Sequence, residues 1–313
     1  MKSEIAEFLI CPRCLPSETD LMLEAHDSDG GEVVNGTLRC PQCRTEYPIA
    51  EGIAALLPEP PDHARPAGMP YEGPTMVSSY LWSHYADLAG DEEATGAYTQ
   101  WAALLSAGGG IGLDAGCAVG RFTFELARKC DLVIGFDYSR PFIAAARRLL
   151  GERRLDFRVK QEGHLFEQCT IHLPAAWQVG NIEFIMADAQ AIPVRSHLSA
   201  RSASLNLVDK LPKPLYHLQE LSRTARKQGA QLLISDPFSW STEWANERDW
   251  LGGTHCGRFA GNGQDNLRTL LEGRTGELTP PWRVDEQGST WWKIRNHRNH
   301  FELIRSCYTR ASR

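Results

Sequence analysis

Leu113-Asp114-Ala115-Gly116-Cys117-Ala118-Val119-Gly120-Arg121, with Asp137 ending a second apolar run, is the stretch that decides the fold. The order predicts a strand, a tight glycine turn, a helix, a second strand and a carboxylate. Gly116 lets the backbone turn sharply and approach a ligand with no side chain in between. A helix expected over Phe122 to Lys129 would start with its free N–H groups facing that ligand. Leu132-Val133-Ile134-Gly135-Phe136 delivers Asp137 to a strand tip, where a carboxylate can accept two hydrogen bonds from a ribose diol.

The pattern is D-x-G-C-x-x-G, not the G-x-G-x-x-G that seats a pyrophosphate on a helix N-terminus. An acid at Asp114 repels a pyrophosphate and suits a cationic amine. S-adenosylmethionine (SAM) has that amine, a carboxylate and a sulfonium, and carries no phosphate. The stretch resembles motif I of the class I SAM-dependent methyltransferases, with Asp137 as the ribose acid of motif II. The resemblance implies cofactor contacts from Asp114, Gly116, Cys117, Gly120, Asp137 and Tyr138. It adds Asp188 and Ala189 beside the adenine, and Asn206 after the fourth strand.

Downstream, strand and helix signals alternate. Arg140 to Leu150 reads as a helix, Ile182 to Ala189 as the third core strand, Ala203 to Pro212 as the fourth strand and its exit loop, and Gln231 to Pro237 as the fifth. Leu215 to Arg226 reads as the helix between the last two. Phe157 to Leu173 alternates around Glu162-Gly163 and predicts an inserted hairpin. Trp291 to Arg295 and Phe301 to Tyr308 predict a closing antiparallel pair. Ahead of the motif, Ser79 to Leu88 and Ala94 to Leu105 read as helices, the first carrying Tyr80, Trp82, His84 and Tyr85 as a lid over the cofactor or as simple packing. The expected fold class is α/β, a Rossmann-like class I methyltransferase sheet with a small N-terminal zinc-ribbon domain.

The ribbon is read from Cys11-Pro12-Arg13-Cys14 and Cys40-Pro41-Gln42-Cys43, two C-x2-C pairs with 25 residues between them. Facing knuckles of this kind supply four thiolates in a closed tetrahedron, which suits structural Zn2+. Asp29-Gly30-Gly31 and Asn35-Gly36 are turn signals between ribbon strands at Leu21 to Ala25 and Thr37 to Arg39. Phe8 to Pro12, Asn35 to Pro41 and Tyr47 to Ile53 resemble the Trm-type zinc-ribbon family, small activator subunits of methyltransferases. The resemblance implies a ribbon fused to its client, in place of a separate activator subunit. Six prolines between Pro58 and Pro74 mark a linker. The expected domains are 1–58 (ribbon), 59–76 (linker) and 77–313 (methyltransferase).

Composition narrows the class. The chain has 313 residues, a net charge of -6 and nine cysteines. Residues 1 to 62 carry 4 Lys+Arg against 12 Asp+Glu, the opposite of a phosphate-binding surface. Arg283 to Arg313 is locally basic, which reads first as a solvated strand face. No apolar run reaches the length of a membrane span, and no signal peptide is read. Unpaired cysteines fit a reducing compartment, so a cytoplasmic location is expected.

The acceptor is sought in the later segments. Glu162-Gly163, Asn206 to Pro212, Asp236-Pro237-Phe238-Ser239-Trp240 and Trp250-Leu251-Gly252-Gly253 resemble the ovothiol-type methyltransferases, the 4-mercaptohistidine N-methyltransferases, over roughly 77 to 310. This implies N-methylation of a small imidazole or thiol-histidine. The chain departs from that family at Ala187-Asp188-Ala189-Gln190, at Asp236 and at Ser196 to Arg201. His84, Asp209, Asp236 and His255 are candidate proton acceptors for catalysis. Trp240, Trp244 and Trp250 are candidates for an aromatic wall. RNA methylation, protein methylation and a non-catalytic SAM-binding scaffold are the alternatives.

Overall fold

A computed structural model describes residues 1–58 and 73–313. The expected linker 59–76 lies mostly outside the described residues. The chain opens with a short 3-10 turn at Ser3–Phe8 and the strands β1 (Met22–Asp29), β2 (Glu32–Arg39), β3 (Glu46–Ala50) and β4 (Ile53–Leu56). Gly30 and Gly31, at φ 55° and 88°, make the two-residue reversal between β1 and β2, a turn that needs left-handed backbone at both positions. The helices α1 (Pro74–Tyr85) and α2 (Ala97–Ala103) follow. Then come β5 (Ile111–Ala115), α3 (Arg121–Ala127), β6 (Leu132–Asp137), α4 (Arg140–Glu152), β7 (Arg154–Glu162), β8 (Leu165–His172) and β9 (Ile182–Ala187). The chain closes with β10 (Ser199–Leu205), α5 (Pro214–Thr224), β11 (Gln231–Asp236), α6 (Gly263–Leu271), β12 (Arg283–His297) and β13 (His300–Ser312).

One sheet of eleven strands runs β1-β2-β3-β4-β9-β6-β5-β10-β11-β13-β12. The central strands β9, β6, β5, β10 and β11 are parallel, and β13 and β12 add an antiparallel edge. Parallel strands covered on both faces read as unbroken apolar runs, and all six residues of β9 are buried. One face packs Val133, Phe184 and Met186 against Phe122, Leu126, Ile143 and Leu149 of α3 and α4. The other packs Leu113, Ile134 and Ile185 against Leu218 and Leu221 of α5 and Leu267 and Leu270 of α6. The sheet is therefore a mixed α/β Rossmann-like sheet, preceded by a small β region holding a cysteine cluster.

The ribbon strands do not stand apart. Strand β4 runs parallel to β9, pairing Ala55 with Met186 and Leu56 with Ala187. Ile5, Leu9, Leu38 and Tyr47 share one apolar cluster with Leu113 and Ile185. A module with so few apolar residues gains a core by leaning on its neighbour's.

The inserted hairpin forms as β7 and β8, a separate two-stranded sheet. The closing pair is longer than the sequence signal, because β12 and β13 stay in register well beyond the apolar residues that announce them. The sequence reading assigned no element to α6. Among the described residues, no helix is long and apolar enough to cross a membrane.

Candidate functional site

The strand order changes direction between β5 and β10, and there the loops at the carboxyl ends of the strands part to leave a crevice. A cavity of about 960 Å³, counting its open mouth, lies at this point. It is bounded by the glycine turn (Asp114, Gly116, Cys117, Ala118), by Asp137, Tyr138 and Ser139, and by Ala187 and Ala189. Asn206, Leu207, Lys210 and Trp244 close one side, and Tyr80, His84, Tyr98, Phe142 and Trp292 the other.

Gly116 sits at φ 70°, and a Cβ there would stand 2.9 Å from Leu207 Cδ2, so only glycine fits. Gly120 caps α3 at φ 85°, and its would-be Cβ meets Phe184 at 2.7 Å. Its role is packing beneath the turn. The helix it opens is shorter than the sequence suggested, ending at Ala127.

Asp137 braces the turn from the next strand. One of its carboxylate oxygens accepts from Ala118 N–H at 3.0 Å, the other from Ser139 N–H at 2.9 Å. Asp114 is buried to 2% exposure and accepts from the Thr123 hydroxyl at 2.6 Å. Burial pushes its carboxyl up to about 7, and the Asp137 charge adds to the shift. Ala187 and Ala189 line the cavity, whereas Asp188 between them accepts from Gln190 N–H at 2.9 Å. The Asn206 side chain accepts from the Ser306 hydroxyl, with the residue itself in left-handed backbone at φ 55°.

The four candidate proton acceptors separate. His84 lines the cavity, with Nε2 2.6 Å from the Tyr98 hydroxyl. Burial holds the His84 imidazole well below its ordinary range, helped by the Arg121 guanidinium. Asp209 and Asp236 are buried behind Lys210, where an Asp236 oxygen accepts from Asp209 N–H at 3.3 Å and Asp209 accepts from Ser239 N–H at 2.7 Å. Burial raises both carboxyls, and for Asp236 the Asp209 charge adds to the shift. His255 is exposed on the loop after Gly253. The tryptophans separate too: Trp244 lines the cavity beneath Lys210, while Trp240 and Trp250 stack on each other at 6.3 Å.

Sequence reasoning missed three residues here. Trp292 was read only as strand, yet it reaches the cavity from β12. Arg121 is buried beneath α1, donating to His84 O, Asp87 and Glu125. His217 on α5 donates from Nδ1 to Ala189 O at 2.9 Å and accepts at Nε2 from the Ser204 hydroxyl at 2.8 Å. Burial pushes it down to about 4. No local pattern announces any of the three; each is defined by partners distant in sequence.

Apart from the cavity, the Sγ atoms of Cys11, Cys14, Cys40 and Cys43 lie within 4.8 Å of one another. Cys11 and Cys43 are 3.6 Å apart and Cys14 and Cys40 3.7 Å. A tetrahedron with metal–sulfur bonds near 2.3 Å has edges of about 3.8 Å, so these four cysteines could bind a metal ion. The set is closed, with no position left for water or substrate.

Residues 113–233 match the family model described as a methyltransferase domain. The chain carries a class I SAM-dependent methyltransferase domain. Similar solved structures include a magnesium protoporphyrin IX methyltransferase from Synechocystis, 17% identical over 75% of this chain and 82% of that one, TM-score 0.41. A SAM-dependent methyltransferase from Aquifex aeolicus is 13% identical over 76% of this chain and 97% of its own, TM-score 0.43. One from Methanosarcina mazei is 15% identical over 65% and 92%, TM-score 0.43. At such identities nothing about substrate passes from them to this methyltransferase. No curated protein matches the chain.

Proposed function

We propose that this methyltransferase moves the methyl group of SAM to a ring nitrogen of a small imidazole, of the thiol-histidine type. The observation that carries the small-molecule part is the cavity itself. Its walls are rich in aromatic side chains, and Lys210 is the one Lys or Arg among the described residues that bound it. An RNA acceptor would need a track of cations for its phosphates. The resemblance to the ovothiol-type group supports the imidazole.

In this reading Asp114, Gly116, Cys117, Asp137, Tyr138, Ala189 and Asn206 border the cofactor, with Gly120 and Asp188 bracing the turn and the adenine-side wall. SAM supplies an already activated methyl group, so the protein's share is orientation and exclusion of water. Tyr80, Trp244 and Trp292 hold a flat acceptor in a dry slot. Of His84, Asp209, Asp236 and His255, His84 is the one that borders the slot. Its neutral imidazole positions the acceptor, while Asp209 and Asp236 stiffen the loop that carries Lys210. Cys11, Cys14, Cys40 and Cys43 hold structural zinc, and the ribbon takes the place of a separate activator subunit.

A methyl-transfer screen with labelled SAM tests the acceptor. Thiol-histidines, total RNA and a protein extract are offered in parallel. Label in the small-molecule fraction is expected. Label in RNA or protein alone overturns the proposal, and SAM binding with no transfer to any acceptor favours a scaffold.

A further inference from the structure

Among the described residues that line the cavity, two side chains hold a buried nitrogen without a hydrogen-bond partner: His84 Nδ1 and Trp292 Nε1. Their rings stand 6.4 Å apart, edge to face, each at most 4% exposed. An indole nitrogen can only donate. The state of His84 follows from its neighbours. Burial keeps the imidazole neutral, and burial keeps the Tyr98 phenol protonated. The phenol proton has His84 Nε2 at 2.6 Å, so Tyr98 donates there. A neutral imidazole carries one hydrogen, which then lies on Nδ1. Two N–H donors thus lie in the wall of one cavity with no protein oxygen to receive them, and a buried donor left unpaired is costly. The Arg121 guanidinium holds the His84 backbone from behind, donating to His84 O at 2.9 Å while paired with Asp87 and Glu125.

We propose that this end of the cavity is a carboxylate seat, formed by His84 Nδ1–H and Trp292 Nε1–H. The inference rests on the cavity being the SAM site. Two molecules there can bring the carboxylate: the amino-acid tail of SAM or an amino-acid methyl acceptor. A cationic group at the same place would face two N–H donors and no acceptor from either ring.

Matched ligand pairs test it by calorimetry on the full chain. SAM is compared with 5′-methylthioadenosine, which lacks the amino-acid tail. Histidine is compared with histamine, its decarboxylated form, on protein saturated with S-adenosylhomocysteine. The variants are Trp292→Phe and His84→Gln, which keeps an amide near the Nε2 position and loses the Nδ1 donor. Each is expected to weaken the carboxylate-bearing member of one pair about tenfold or more beyond any loss in its partner. Which pair responds identifies the source. His84→Asn, with its amide near Nδ1, is expected to recover affinity lost in His84→Gln. Equal losses for both members, or no selective loss in either pair, overturns the seat. Wild-type protein binding neither SAM nor 5′-methylthioadenosine would instead remove the cofactor reading beneath it.

Discussion

Asp114 is the penultimate residue of a strand buried on both faces, and its carboxyl leaves water for one hydroxyl, that of Thr123. In an unfolded chain such a group ionises near pH 4. Here it holds its proton up to about 7. Between those values the folded state binds the extra proton, so this group's contribution to stability falls as pH rises through the window and levels off above it. Asp114→Asn removes the titration. Its stability relative to wild type is expected to climb from pH 4 to pH 7, as read by urea unfolding at several pH values; a constant difference would show that Asp114 titrates normally. Asp137 acts differently, since its two oxygens accept from backbone N–H groups of the cavity-facing turns. Asp137→Ala is expected to weaken SAM binding roughly ten- to hundredfold in calorimetry, the scale of one or two charged hydrogen bonds. Unchanged affinity would place the ribose elsewhere.

At the scale of elements, α4 joins the two parts of the molecule. Its first turn borders the cavity through Phe142, and Arg140 pairs with Glu51 of the ribbon at 2.8 Å. Two turns further on, Arg147 bridges Glu32 of β2 at 2.9 Å and the carboxylate of Glu183 on β9, which is 1% exposed. Removing one partner of a buried pair leaves the other charge stranded. Arg147→Met is therefore expected to cost about 3–5 kcal/mol in urea unfolding. A loss below 1 kcal/mol would mean that water reaches Glu183. The glycine turn offers a second test. Gly116→Ala sets a Cβ 2.9 Å from Leu207 in left-handed backbone, and SAM binding is expected to fall while the far ribbon is undisturbed.

Over the whole molecule, the four-cysteine cluster and the cavity are connected through one sheet. The cysteine cluster ties the two ends of the ribbon together, and β4 carries the ribbon's order into β9, whose end supplies Ala187 to the cavity. A small acidic module gains much of its folding energy from its metal. Chelation with verified metal loss is expected to raise hydrogen exchange first in β1 to β3, next in β4 and β9, and to weaken SAM binding. Exchange confined to the ribbon, with affinity intact, would show that the wall of the cavity stands without it.

Local signals made much of this legible. Gly116, Asp114 and Asp137 speak through spacing, because a strand, a glycine turn and a strand-tip acid can be arranged in few ways. The paired C-x2-C knuckles speak likewise, and the apolar runs marked each central strand. Backbone geometry and burial pattern are written within a few residues of each other, so sequence alone determined the Rossmann-like sheet and the thiolate set. The tertiary structure decided what depends on distant partners. It joined the ribbon's strands to the sheet through Ala55 and Leu56, brought Trp292 across from β12 to face His84, and set Trp240 on Trp250 while leaving Trp244 at the cavity. It also buried Arg121, His217 and the Asp209–Asp236 pair. A side chain's protonation and its access to a cavity follow from desolvation and neighbours brought together by folding, and no stretch of chain carries that information by itself.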